Sequence, residues 1–410
     1  MGDGLVIVVV TALALWVALG VYFLGEKGLE RSLFWLCVGA LAVGAAARFF
    51  CMDHITSDYT DFLSQWVQFF RDNGGFGGIR LSVGDYNVPY LYLMAAISYF
   101  AVPDLYLIKL ISIFFDLLLA FSAMRLVNLA FPEKKKTAAA VFCVTLLLPT
   151  VILNGAYWGQ CDSIYGALTL LALADALDHH PCRSVLWLGV AFSFKLQAIF
   201  LIPLWCVLWY SGRVKFRHLL LFPVSYFATI LPALLLGKPL GDILGVYFNQ
   251  MGLYNDRLTL NAPSLYALIP YGAEVDGPFW ARVGIFAAFA LVLALLVGLF
   301  FVRKRLTNAH ILTAALVLAI GVPLLLPHMH DRYFFLAEVL SVVWAVGAYH
   351  RTPVPVCVQI ASLGGYHAYL VLRYAFPMAW GAWGMLFSLL AVLSTLVWSL
   401  LPPPRRQAAQ

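Results

Sequence analysis

Hydrophobic positions along this chain come in long unbroken runs, with polar residues confined to the short stretches between them. The runs lie near residues 4–24, 33–50, 105–130, 137–152, 163–178, 184–194, 196–211, 218–236, 281–302, 308–327, 333–349, 354–372 and 379–400. Many approach the ~20 residues that an α-helix needs to cross a hydrocarbon layer of ~30 Å. The pattern predicts an all-α fold, a polytopic transmembrane bundle of about 13 spans forming one membrane domain over residues 1–410. Two shorter patterns stand apart. Phe62, Leu63, Trp66, Val67, Phe69 and Phe70 recur at helical spacing, as expected of an amphipathic helix at the membrane interface. The run 88–102, bracketed by Pro89 and Pro103, predicts a short hairpin helix outside the bilayer.

Composition strengthens this picture. Of the residues, 63% are hydrophobic and 11% charged, against roughly 25% charged in soluble domains. A soluble core is excluded. The net charge of +6 is spread over short loops, so it encodes topology and not a nucleic-acid surface. Lys27, Arg31, Lys134 to Lys136, Arg183, Arg213, Lys215, Arg217, Arg303 to Arg305, Arg351, Arg405 and Arg406 all fall on one side, which the positive-inside rule makes cytoplasmic. The N-terminus is then outside and the C-terminus inside a plasma membrane, with Gly4 to Leu24 a retained first span and not a signal peptide. The seven scattered cysteines read as small buried hydrophobes. The opposite side carries two long loops, 51–90 and 237–280, and several short polar turns.

Chemistry concentrates on that outer side. The first loop holds Asp53, His54, Asp58, Asp61, Asp72 and Asp85, where a carboxylate against aromatic neighbours can act as a general base toward a hydroxyl. The competing reading is a solvated acidic loop. In the polar turn 154–162, Asp162 opens the next run and suits a helix N-cap. Lys195 interrupts two half-length apolar runs, where an ionisable group faces a polar cavity or snorkels to the surface. His328-Met329-His330-Asp331-Arg332-Tyr333 offers a guanidinium fork and imidazole donors to phosphate oxygens, or N and O ligands to a metal. The metal reading is the weaker, and no cofactor is expected.

Taken in order, Ser57-Asp58-Tyr59 through Trp66, Val83-Gly84-Asp85-Tyr86-Asn87-Val88-Pro89-Tyr90, Tyr157-Trp158-Gly159-Gln160-Cys161-Asp162, Ser193-Phe194-Lys195-Leu196-Gln197, Leu258 to Tyr266 and Met329-His330-Asp331-Arg332-Tyr333-Phe334-Phe335 resemble a polyprenyl-phosphate-dependent glycosyltransferase of the GT-C superfamily. The nearest resemblance is to the bacterial group related to the second mannosyltransferase of GPI-anchor synthesis, over roughly residues 33–350. Three departures stand out: the extra first span, Asp331 where the family commonly has Glu, and Cys161 where a small aliphatic residue is usual. The resemblance implies a membrane enzyme of the GT-C fold. It would move mannose, or another hexose or pentose, from a polyprenyl-phosphate-linked donor to a glycan, lipid or protein hydroxyl on the extracytoplasmic face, with inversion. It implies Asp58 as leading base with Asp85 and Asp61 as alternates, and Lys195, His330, Arg332 and His328 around the donor phosphate. Tyr59, Trp158, Gln160, Asp162, Asn261 and Tyr266 would line the substrate pocket. The rival classes are a transporter or flippase of a polyprenyl-linked sugar or another anionic solute, and a structural subunit of the cell envelope.

Overall fold

The computed structural model describes residues 1–25, 29–250, 256–270 and 272–401. Lys27, Arg405, Arg406 and part of the loop 237–280 lie outside the described residues. In chain order the helices are α1 (Asp3–Gly25), α2 (Arg31–Cys51), α3 (Ser64–Asp72), α4 (Val88–Ile97), α5 (Asp104–Ala130), α6 (Lys135–Leu147), α7 (Pro149–Ile152), α8 (Asp162–Leu177) and α9 (Pro181–Phe194). They continue as α10 (Pro203–Tyr210), α11 (Phe216–Leu219), α12 (Leu221–Leu235), α13 (Leu240–Gln250), α14 (Gly277–Phe301), α15 (Asn308–Leu325), α16 (Phe335–Ala345), α17 (Pro353–Leu370) and α18 (Met378–Leu400). One pair of two-residue strands, β1 (Thr259–Leu260) and β2 (Met329–His330), runs parallel with Thr259 opposite Met329 and Leu260 opposite His330.

Seven helices among the described residues are long and apolar enough to cross a membrane: α1, α2, α5, the continuous stretch Phe216–Leu235, α14, α15 and α18. An eighth arises if Lys136–Leu147 and Pro149–Trp158 count as one span bent by 47°. Pro149 causes the bend, since its ring bars Leu148 from helical geometry and removes a backbone donor. The remaining apolar runs make shorter helices, including Pro181–Phe194, Leu196–Tyr210 and Phe335–Ala345. Length and composition thus carry seven or eight crossings, fewer than the number of runs.

Helix α8, every residue of which is buried, forms the core together with α5 and α15, as expected of helices apolar all round. Around it, α1, α14 and α18 turn side chains such as Leu15, Phe286, Phe289 and Trp398 outward, leaving an apolar belt that suits lipid. Two of the buried carboxylates in the core are paired. Arg48 grips Asp116 at 2.7 Å, and Ser163 donates to the same carboxylate. Arg125 and Arg183 flank Asp175 at 2.8 and 3.2 Å.

Both shorter patterns form helices, and both pack their apolar faces against protein. The apolar face of α3 (Trp66, Val67, Phe70) is buried in protein, with Phe62 left exposed. Helix α4 is likewise packed inside, Tyr92 donating to the Thr229 carbonyl at 3.1 Å.

The first loop is fastened where it leaves the bundle. Lys109 on α5 donates to the carbonyls of Cys51, Met52 and His54 at 2.9, 3.0 and 2.6 Å, which satisfies the last carbonyl of α2 and two in the turn that follows it. At the other end of the bundle, Lys136 meets Glu30 at 2.5 Å, placing the turns before α2 and α6 together. A cysteine substituted at Lys134 is therefore expected to resist impermeant maleimides in intact cells, while one at Gly272 reacts, in a background lacking the exposed Cys182 and Cys206. The opposite labelling pattern would invert the assigned sides.

Candidate functional site

Asp58 stands just before a wide helical turn, Tyr59–Leu63, that leads into α3. Its carboxylate accepts from Trp158 Nε1 at 2.9 Å, from Gln160 Nε2 at 2.5 Å and from the Tyr369 hydroxyl. A carboxylate offers about four lone-pair directions, so three donors orient it and leave one for a ligand. Trp158 and Gln160 reach Asp58 because the chain after the Pro149 bend does not form the free polar turn expected there. Residues Leu153–Trp158 wind as a wide helical turn with Asn154 and Trp158 buried, and Gly159 (φ 85) ends it. Thr56 closes the contact by donating to the Trp158 carbonyl at 3.1 Å.

On the face of the same Trp158 ring lies Arg332, its Cζ 5.1 Å from the ring centroid, within cation–π range. Arg332 Nε stands 3.7 Å from Asp162 and its Nη1 3.6 Å from Asp331. Those separations exceed hydrogen-bonding distance, and both Arg332 Nε and Asp331 Oδ1 are buried without a hydrogen bond. The guanidinium fork is electrically balanced but chemically unsaturated. Lys195, at the break after α9, donates to Asp162 at 2.6 Å and sits 5.6 and 5.9 Å from the Tyr86 and Tyr165 rings. Asp162 therefore serves as the shared counter-ion of two cations, with Asn154 donating to it at 2.8 Å. It is not the N-cap that its position suggested: Cys161 holds that place, without a side-chain bond.

The strand pair sets the other wall. It fixes His330 and Asp331 beside Arg332, with the Asp331 N–H donating to the Leu260 carbonyl at 3.0 Å. Burial, reinforced by Arg332 and Lys195, lowers His330 to about 3, so its imidazole is neutral near pH 7 and brings no positive charge. Burial raises Asp331 to about 7, with Arg332 opposing and Asp58 and Asp162 assisting.

The two groups pull stability in opposite directions. An unfolded imidazole gains a proton below its ordinary 6.5, whereas His330 takes none until about 3, so its contribution is lost as pH falls through that window. Folded Asp331 keeps its proton up to about 7 while an unfolded one releases it near 3.8, so its contribution is lost as pH rises between those values. We expect His330→Gln to raise the melting temperature at about pH 5 relative to about pH 7.5, and Asp331→Asn to do the reverse. Parallel pH profiles for wild type and both variants would refute these assignments.

Other expected site residues lie elsewhere. Asp61 is exposed and accepts from its neighbour Thr60 at 2.9 Å. Asp85 is exposed too; its backbone carbonyl takes the Gln250 amide, and its carboxylate meets no described residue, whereas the adjacent Tyr86 donates to Gln160 at 3.4 Å. Tyr59 turns to Asp104 and Arg71, away from the donors around Asp58. Tyr266 is a structural pin. Its hydroxyl donates to the carbonyls of Trp280 and Leu325 at 3.2 and 3.1 Å, and a Cβ at Gly284 would lie 1.7 Å from its oxygen. His328, at φ 62, engages the Arg257 carbonyl through Nδ1 at 2.6 Å, so the two imidazoles do not converge as metal ligands. Asn261, at φ 57, accepts from Tyr374 at 2.6 Å and packs its carbonyl against Gly365 near Asp331, shaping the wall. Among the described residues no three His, Cys, Asp or Glu side chains group as metal ligands.

Sequence reasoning missed Tyr369 and Tyr366. Tyr369 stacks on Trp158 at 4.6 Å and bonds Asp58; Tyr366 hydrogen-bonds Asn154 at 3.0 Å. Both lie in the run 354–372, and their only signal was two tyrosines three positions apart on one helix face. Glu338 on α16, fully buried with neither carboxyl oxygen hydrogen-bonded, was also passed over. A cavity of about 180 Å³ adjoins the site behind Tyr86, between Asn87, Leu91, Lys238 and Ile243. A larger, open groove of about 550 Å³ runs along the polar face of α3 towards Asp104.

Fold and site together define an all-helical membrane protein that gathers a carboxylate, two cations and their counter-ion from four separate segments of chain. No family model matches the chain, and no curated protein matches it.

Proposed function

We propose that the chain is a GT-C-type glycosyltransferase that transfers a sugar from a polyprenyl-phosphate donor to an acceptor hydroxyl on the extracytoplasmic face of the plasma membrane. The observation that carries this reading is the division of labour around Trp158. Its indole N–H holds Asp58, and its ring face holds Arg332. A base and an unsaturated phosphate-binding fork thus flank one side chain, which suits a displacement with the acceptor on one side of the sugar and the leaving phosphate on the other.

In this mechanism the acceptor O–H gives its proton to the free lone pair of Asp58 as its oxygen bonds to the anomeric carbon. The bond from that carbon to the phosphate oxygen breaks from the opposite face, and the electron pair leaves on polyprenyl phosphate. Arg332 and Lys195 meet the charge that develops there, Asp162 having kept both cations in place beforehand. His330 contributes as a neutral hydrogen-bond donor, and the short helices Pro181–Phe194, Leu196–Tyr210 and Phe335–Ala345 complete the crossings.

A transporter would need polar groups free to serve a path toward the opposite face. Asp116 and Asp175, the acidic residues within the buried helices α5 and α8 away from the site, are instead held by Arg48 and Ser163 and by Arg125 and Arg183. The deciding measurement uses the purified full chain in vesicles with a labelled polyprenyl-phosphate sugar. Transfer of label to an acceptor is expected. Movement of intact donor between leaflets with no transfer would replace the enzyme by a flippase.

A further inference from the structure

At the end of the bundle opposite the site, two basic segments far apart in sequence are fastened into one patch. Arg213 donates to the Asn308 side chain at 2.5 Å and to the Leu306 carbonyl at 2.9 Å. This brings the turn of Arg213, Lys215 and Arg217 against that of Arg303, Lys304 and Arg305. Just above, Tyr210 ties α10 to α14 by donating to the Leu296 carbonyl at 2.9 Å and packing on Phe300 at 5.4 Å.

Neither residues 203–235 nor residues 277–325 contain a single Asp or Glu, and Lys215, Arg217, Lys304 and Arg305 are exposed. Topology alone asks only that cations lie on this side; it does not ask that two distant turns be bound together. The surface immediately above is apolar and open. Trp209, Phe216, Leu220 and Phe301 are all exposed, at 46, 60, 56 and 78%, and Arg303 folds back over the Phe300 ring at 4.2 Å. Cations below and aromatic and aliphatic side chains above match a molecule with an anionic head and acyl tails.

We infer that the patch joining residues 213–217 to 303–305 is a binding site for an anionic phospholipid of the cytoplasmic leaflet, its phosphate among the cations and its chains on the Trp209, Phe216 and Phe301 wall. Charge complementarity selects the head and the exposed wall selects a lipid over a soluble phosphate. The site is separate from the proposed catalytic groups and stands whether or not the chain is a transferase.

The test uses the full chain in a zwitterionic detergent. It is titrated with phosphatidylglycerol, with phosphatidylcholine and with inorganic phosphate, reading the melting temperature and lipid adducts by native mass spectrometry. Phosphatidylglycerol is expected to be retained and to stabilise, phosphatidylcholine and phosphate to do neither. Combined Lys215→Gln, Arg217→Gln, Lys304→Gln and Arg305→Gln substitution is expected to weaken phosphatidylglycerol binding by more than about tenfold, given roughly fivefold per cation near a membrane surface. Arg217→Lys with Arg305→Lys, which keeps the charge and guards against misfolding of the first variant, is expected to bind nearly as wild type. Arg31→Gln with Lys136→Gln, on a neighbouring basic turn, should leave binding intact. Undiminished lipid binding by the glutamine variant, equal retention of phosphatidylcholine, or a matching shift with phosphate alone would overturn the inference.

Discussion

Asp58→Asn is expected to lower sugar transfer by about 10²- to 10⁴-fold, the usual value of general-base assistance, while the binding of donor lipid stays near the wild-type level. The substitution keeps the size of the side chain and an oxygen for the Trp158 and Gln160 donors, so the fold has no reason to change. What disappears is the lone pair basic enough to take the acceptor's proton. Asp61→Asn and Asp85→Asn are expected to retain most activity, because both carboxylates are exposed and neither joins the donors around Asp58. If Asp58→Asn turned over at the wild-type rate while Asp85→Asn were dead, the base would belong to the Gly84-Asp85-Tyr86 turn.

The largest effect on stability is expected at Asp162. Its carboxylate is fully buried and faces Lys195 at 2.6 Å and Arg332 at 3.7 Å. Removing one partner of a buried ion pair costs about 3–5 kcal/mol, because the remaining charge is stranded away from water. Asp162→Asn strands Lys195 and leaves Arg332 only Asp331 and the more distant Asp58 for balance. A marked fall in melting temperature should follow. Joining Asp162→Asn to Lys195→Met removes one stranded cation and should recover part of that fall. Equal melting of Asp162→Asn and wild type would mean that solvent or another group neutralises Lys195, and the counter-ion role would fail.

How far the sequence revealed this arrangement depends on what each residue stood out against. Lys195 and Arg332 were visible because charged groups at the ends of apolar runs are costly unless used, whereas Asp58 was one of several carboxylates in the first loop, and it, Trp158 and Gln160 were singled out by the family resemblance. Their convergence on Trp158 was not visible, since it depends on the Pro149 bend and the turn after it. Tyr59 and Tyr266 were placed in the site by their neighbours in sequence, yet their side chains point to Asp104 and to the Leu325 carbonyl. A one-dimensional pattern fixes which residues share a turn, not which way each side chain leaves it. Tyr369 shows the converse case: within an apolar run a tyrosine reads as packing, and only its hydroxyl's partner reveals it. The number of apolar runs was legible as well, but run length was not a count of crossings, since several became helices too short to span alone.

The bond between Tyr369 and Asp58 closes over 311 positions of chain. A ribosome adding about 5–20 residues per second needs roughly 15–60 s to cover that distance. Trp158 and Gln160 follow Asp58 after about a third of the interval, but the hydroxyl that completes the set belongs to the last helix but one. For that time the nascent protein already sits in the membrane with its carboxylate incompletely held. Chains interrupted before residue 369 would thus lack this last donor together with the whole of α18, a defect that a translational pause late in the message could lengthen and early pauses could not.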